Sequence, residues 1–348
     1  MSDLLTLTPD GLYCPDADVH IDPVRPVPRA LVTHGHADHA RSGHGAVLAT
    51  RQTLEIMALR YGENFCGSAQ ALNTGETLGV NGVDLSLFPA GHVLGSAQVL
   101  LEVAGHRTVV SGDYKRQHDP TCSSFELVPC NTFVTEATFG LPVFRHPLAL
   151  GEMKKLLASR RLSPDRTHLV GAYALGKAQR VIGELRAAGY ERPIYLHGAL
   201  EKLTQFYIRE GVKLGPVEAV GERGKELAGE IVLCPPGQLT DRWARRFGDA
   251  VTAMASGWMR VRARARQRGA QLPLIISDHA DWDDLCRTIL ETGAETIWVT
   301  HGAEEALVHW CNSNGRNARP LNMIGYGDGE ESDNDPEDSD GPTGLVIP

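Results

Sequence analysis

The rhythm of apolar and polar positions changes twice along the chain. Up to about residue 140, short apolar runs stop at Gly, Asp or His: 30–33 (ALVT), 85–89 (LSLFP), 99–103 (VLLEV), 108–111 (TVVS) and 133–135 (FVT). Runs this short with no helical period predict buried strands. From about residue 147 the pattern turns amphipathic, predicting helices at 151–159 (GEMKKLLAS) and 177–188 (KAQRVIGELRAA) between strands at 193–196 and 230–234. That alternation predicts an α/β unit with a parallel sheet. After residue 271 the chain reads strand (272–277, LPLIIS), helix (281–291), strand (296–300) and helix (303–312). No internal repeat is visible.

With 348 residues, the chain is long enough for one large domain or two smaller ones. Its formal charge of −9 is unevenly spread: residues 327–348 hold eight of the 43 acids and no base, leaving 35 acids against 34 bases. The tail is expected to be disordered, because so few apolar residues cannot offset its ordering entropy. Seven cysteines, odd in number and never spaced as C-x-x-C, point to reduced thiols packed as core residues. The first eleven residues (MSDLLTLTPDG) lack a basic region and a long apolar region, and no later apolar run approaches a membrane span. The expectation is a cytoplasmic protein with no membrane association.

The strongest chemical signal is 33–40, THGHADHA, with His34, His36, Asp38 and His39 directly after a predicted strand. A strand holds its backbone still while the following turn aims several side chains at one point. Nitrogen and carboxylate donors without thiolate suit zinc, manganese or iron. Two later segments repeat the strand-then-ligand arrangement, His92 in PAGHVLGSAQ (89–98) and Asp113 in VVSGDYKR (109–116). A lone His beside glycines is more often a packing residue and a lone Gly-Asp a turn, but here both follow the H-x-H-x-D-H run in ligand-like context.

This series resembles the metallo-β-lactamase superfamily, with Asp22 as the first-motif acid. The resemblance implies a four-layer αββα sandwich and two divalent ions, zinc or manganese. It assigns His34, His36 and His92 to one ion, Asp38 and His39 to the other, and Asp113 as the bridge, with Asp22 orienting the loop behind them. Three downstream segments look like the added motifs of the β-CASP nuclease branch: Glu136 in VTEATFG, His279 in SDHADW and His301 in VTHGAEEAL. In that branch an α/β cap is inserted into the sandwich. The implied division is 1–146 for the first part of the metallo-β-lactamase domain, 147–271 for the cap, 272–326 for the return segment and 327–348 for the acidic tail. His301 would complete the second ion's coordination. His279 would assist the leaving group, with Glu136 fixing its tautomer, while the bridging water held by Asp113 and Asp38 attacks phosphorus. The competing reading of His279 is a neighbour of the helix cap before residue 281.

Residues 254–285, with Gly257-Trp258-Met259 ahead of an Arg-rich stretch, are similar to bacterial DNA ligase-associated exonucleases, as is 173–180 (YALGKAQR). Eight arginines and one acid lie within 242–268. Arg260, Arg262 and Arg264 share a face if that stretch is a strand and spread around the axis if it is a helix. Such a strip would meet phosphates in a salt-sensitive, sequence-independent way, and Lys177 at a helix start could meet another. Trp258 is read as a core or domain-interface residue, and His20, His44, His106, His118, His146, His168, His197 and His309 as structural or surface residues.

The expectation is therefore a two-metal DNA exonuclease of DNA repair, with a DNA ligase or helicase complex as possible company. The alternatives are an RNA-processing β-CASP ribonuclease, which shares every motif, a small-molecule metallohydrolase, and a catalytically silent nucleic-acid clamp.

Overall fold

The computed structural model describes residues 4–321 apart from residue 268. The acidic tail, the last five residues of the expected return segment and Arg268 lie outside the described residues. Among the described residues the strands form three sheets.

The first sheet runs in chain order from Thr6–Thr8 through Gly11–Cys14, Val19–Ile21, Arg29–Leu31 and His44–Ala49 to Cys66–Ala71. The second runs Asn317–Pro320, Thr296–Gly302, Thr132–Ala137, His106–Val110, Ala97–Val103, Val83–Pro89, Thr77–Val80. Its apolar strands are continuous because both faces are covered. Val99 and Leu101 pack towards Leu12, Ile21 and Leu31 of the first sheet, while Leu100 points the opposite way, to Leu285 and Ile289 of the helix Trp282–Glu291. The helix Arg51–Tyr61 covers the outer face of the first sheet through Met57, against Val32 and Val47. The result is helix, sheet, sheet, helix: the four-layer sandwich.

Strands Thr132–Ala137 and Thr296–Gly302 are parallel neighbours although a long stretch of chain separates them. That stretch contains the third sheet, Val217–Ala219, Ile194–Leu196, Ile231–Cys234, His168–Gly171, Val251–Ala255, Leu272–Leu274, whose pairings are all parallel. Helices Ala149–Leu162, Lys177–Ala187 and Gly198–Arg209 cover one face through Met153, Val181 and Phe206. It is an α/β cap inserted into the sandwich.

Two expectations change. The run 272–277 is not one strand of the return segment: Leu272–Leu274 is an edge strand of the cap sheet, and Pro273, which has no N–H to donate, is tolerated at an edge. The Arg-rich stretch is a helix, Arg262–Gln267, after a short turn Gly257–Arg260, so its alternate arginines do not share a face.

Candidate metal centre and active site

Every predicted ligand leaves the end of a strand on one side of the sandwich. Asp22 follows Val19–Ile21 in the left-handed region, φ 44°. Its carboxylate accepts from Thr33 N (2.7 Å) and Thr33 Oγ1 (2.6 Å), and His39 Nδ1 donates to it at 2.8 Å. Asp22 thus ties Thr33 and His39 together across the 33–39 loop.

These bonds also set tautomers, which follow from the network of partners. Because Thr33 Oγ1 gives its proton to Asp22, His34 Nδ1, 3.0 Å away, must donate to it. His34 Nε2 is then left with its lone pair; it is buried, makes no hydrogen bond and lies 3.4 Å from Asp113 Oδ2. His92 Nδ1 donates to the Asp278 carbonyl at 2.7 Å, and His36 Nε2 to the Leu175 carbonyl at 3.3 Å. The opposite nitrogens, His92 Nε2 and His36 Nδ1, stand 2.9 Å apart. Two facing lone pairs in a buried site repel unless a cation lies between them. One ligand atom from each of His34, His36, His92 and Asp113 falls within 4.8 Å of the others, so the residues fit a divalent ion with three nitrogen donors and one carboxylate. Burial and the surrounding imidazoles hold His34 and His92 well below the usual histidine range, which keeps them neutral and ready to ligate.

The second set is looser. His39 Nε2 lies 3.5 Å from Asp113 and 3.7 Å from Asp38, and the His301 ring is 5.2 Å from the His39 ring between centroids. His301 has φ 58° beside a register shift between the strands carrying Glu136 and His301, a bulge of the kind that re-aims a side chain at a strand end. Burial disfavours charge on His39, but Asp113, Asp38 and Asp22 together raise its pKa to about 10. Burial likewise raises Asp113, to about 6, against the pull of His39 and His279. Asp38 is held at about 2, its burial outweighed by His39, His36 and His301.

Glu136 is fully buried and grips His279 Nδ1 at 2.9 and 3.2 Å. Tyr114 N donates to the same carboxylate at 2.8 Å. Burial alone would suppress the imidazolium, but the Glu136 and Asp113 charges overcome it and raise His279 to about 9. The cap of Trp282–Glu291 is Asp281, which accepts from Asp284 N at 3.0 Å, so His279 lies two residues ahead of the cap and its ring is engaged by Glu136 instead.

Lys177, expected to meet a phosphate, lines the same cleft as the ligands but is already engaged. Its buried Nζ pairs with Asp278 at 2.8 Å and donates to the Ile276 carbonyl at 3.0 Å, so its charge is already matched. It belongs to a buried network that the sequence reading missed. Arg180, one turn along the same helix, donates to Ser277 O and lies 3.1 Å from Asp278, while Lys115 pairs with Asp119 at 2.6 Å and donates to His92 O at 3.2 Å. Little in the sequence signalled it, since Arg180 shares its side of the helix with Lys177 and Glu184 and so reads as part of a solvated polar face. Arg260 and Arg262 are exposed, and the Arg264 guanidinium lies 3.8 Å over the Trp258 ring. Trp258, set aside by sequence, lines the same cavity of about 520 Å³ as His36, Asp38, His92, Asp113 and His279.

The sequence profile of the metallo-beta-lactamase superfamily matches residues 18–171, the stretch carrying Asp22 and every ligand from His34 to Asp113. The chain has a metallo-β-lactamase domain. Over 298 residues it is 28% identical to a "Probable DNA ligase" of Opitutus terrae, covering 84% of this chain and 28% of that one. Over 110 residues it is 36% identical to "Endoribonuclease YSH1" of Saccharomyces cerevisiae, 30% of this chain and 14% of the other. A "Cleavage and polyadenylation specificity factor subunit 3" of Dictyostelium discoideum is 33% identical over 132 residues, 35% of this chain and 17% of that protein. The chain thus spans less than a third of the length of each of these relatives. A solved protein of unknown function from Enterococcus faecalis V583 shares the fold at TM-score 0.54 and 12% identity, over 78% of this chain and 74% of that one. The metallo-β-lactamase sandwich carries an inserted cap of the β-CASP kind, and among the described residues no helix is long and apolar enough to cross a membrane.

Proposed function

We propose that the chain is a two-metal phosphodiesterase that degrades DNA from an end, acting in DNA repair in the cytoplasm and in company with ligase or helicase components. The observation that carries the phosphodiesterase reading is the His279–Glu136 pair, a histidine gripped at Nδ1 by a buried carboxylate 2.9 Å away, beside the cluster of His and Asp ligand atoms. Zinc or manganese ions, when bound, supply Lewis acidity at the phosphoryl oxygens and lower the pKa of a water in the site. His34, His36, His92 and Asp113 would hold one ion, and Asp38, His39, His301 and Asp113 the other.

Glu136 occupies Nδ1 of His279, so Nε2–H is the proton that His279 gives to a departing 3'-oxygen. Asp38 and Asp113 accept hydrogen bonds from the attacking water. A thioesterase-like hydrolase of small molecules needs neither this acid nor an inserted cap. The DNA assignment is supported by the relative named "Probable DNA ligase", which matches 84% of this chain. RNA is the second reading, favoured by the relative named "Endoribonuclease" at 36% identity.

The test is cleavage of 5'- and 3'-labelled single-stranded DNA and RNA by metal-stripped protein resupplied with manganese or zinc, with His36→Ala as control. Preferential loss of DNA, abolished by the substitution, is the expected result. RNA preference moves the assignment to the processing nuclease, and no cleavage of either polymer overturns the phosphodiesterase reading.

A further inference from the structure

The metal ligands and His279 line only part of the open cleft in which they stand. The remaining lining includes Phe139, Tyr173, Ser256 and Trp258, which have no part in phosphoryl chemistry as such.

The aromatic part is built with care. A Cβ on Gly257 would fall 2.5 Å from Phe139 Cζ and 3.0 Å from Ser277 Cβ, so only glycine lets the backbone before Trp258 press onto Phe139. Ser256 Oγ accepts from Trp258 N at 3.2 Å and fixes that turn. The Trp258 ring sits 4.8 Å from Phe139 and 5.1 Å from Phe144 between centroids, with the Arg264 guanidinium 3.8 Å over its centre. Packed this way, the indole is held rigidly and positive charge is placed beside it. A nucleobase offers what such a wall accepts, a flat, largely apolar body.

We propose that Trp258, held by Phe139, Gly257 and Arg264, forms a subsite for one unpaired nucleobase next to the scissile phosphate. This rests on the phosphodiesterase reading above and deepens it: the enzyme takes a strand whose base beside the cut is free of its complement. Trp258 is then a binding residue that discriminates a nucleotide from a bare sugar-phosphate.

The experiment uses single-stranded oligonucleotides, of whichever sugar the wild type cleaves, carrying one abasic residue stepped through the sequence. Wild type, Trp258→Ala and Trp258→Phe are compared bond by bond. Since a base on an aromatic contact contributes about five- to 150-fold, wild type should cut beside the abasic residue about ten-fold or more slowly. Trp258→Ala should lose the same factor on the intact strand, and the two losses should not be additive. Trp258→Phe, which keeps a smaller ring, should fall between. Equal wild-type rates beside intact and abasic residues, or a Trp258→Ala loss that is the same on both strands, overturns the subsite while leaving the nuclease reading standing. A wild type that cuts neither strand with manganese or zinc overturns both.

Discussion

Glu136 and His279 form an ion pair whose protonation sets the expected pH dependence of the rate. With its pKa raised to about 9 by Glu136 and Asp113 against burial, His279 is the acid form below that pH and loses its proton above it. The rate should therefore fall on an alkaline limb. In Glu136→Gln the supporting charge is gone, the pKa drops, and the limb should move to lower pH; an unmoved limb in a pH–rate profile would remove His279 as its source. The ligands themselves were legible in the sequence because each closes a strand, and His34, His36, Asp38 and His39 are neighbours along the chain. The pairing of Lys177 with Asp278 and the seat of Trp258 under Arg264 were not legible for a complementary reason: they arise from contacts that no local pattern encodes.

At the scale of elements, the start of helix Lys177–Ala187 joins the cap to the metal site. Lys177 and Arg180 hold the 276–278 segment, whose Asp278 carbonyl fixes the His92 tautomer and whose next residue is His279. Arg180→Gln leaves buried carboxylates uncompensated and should destabilise the fold by about 3–5 kcal/mol in urea unfolding. The acid limb of stability has a sign that follows from Asp119 and Asp278. Burial would raise both, but Lys115, Arg180 and Lys177 pull them below the usual carboxylate range. Their contribution is fully present above the unfolded value of about 3.9 and is lost as pH falls through the lowered folded value. Asp119→Asn should flatten that acid limb, and an unchanged slope would show that the pair contributes nothing. Helices and central strands of the sandwich were legible from their apolar runs. Cys66–Ala71 was not, because five of its six residues are exposed and it carries no β-branched residue, and Leu272–Leu274 was joined to the apolar residues after it.

For the whole molecule, the decisive feature is that Thr132–Ala137 and Thr296–Gly302 pair across the insertion, which brings Glu136 and His301 to the same edge as the loop ligands. The order of motifs along the sequence carried that information only through the family resemblance. Exposed Arg260 and Arg262 on the cap should make polymer binding salt-sensitive, and Arg262→Ala should lower the log–log salt slope by about 1 if it meets a phosphate. A slope equal to that of wild type would place that arginine off the path of the strand.

The central claim is an acid-assisted phosphodiesterase at a metal centre, and its most direct test pairs two substrates with one substitution. Metal-loaded wild type and His279→Gln are assayed on an oligonucleotide and on bis(p-nitrophenyl) phosphate, whose leaving group departs without a proton. Wild type is predicted to hydrolyse both, and His279→Gln to lose about 10²–10⁴-fold on the oligonucleotide while keeping most of its rate on the activated ester. Equal losses on both substrates, or a wild type inert towards both, would contradict the account.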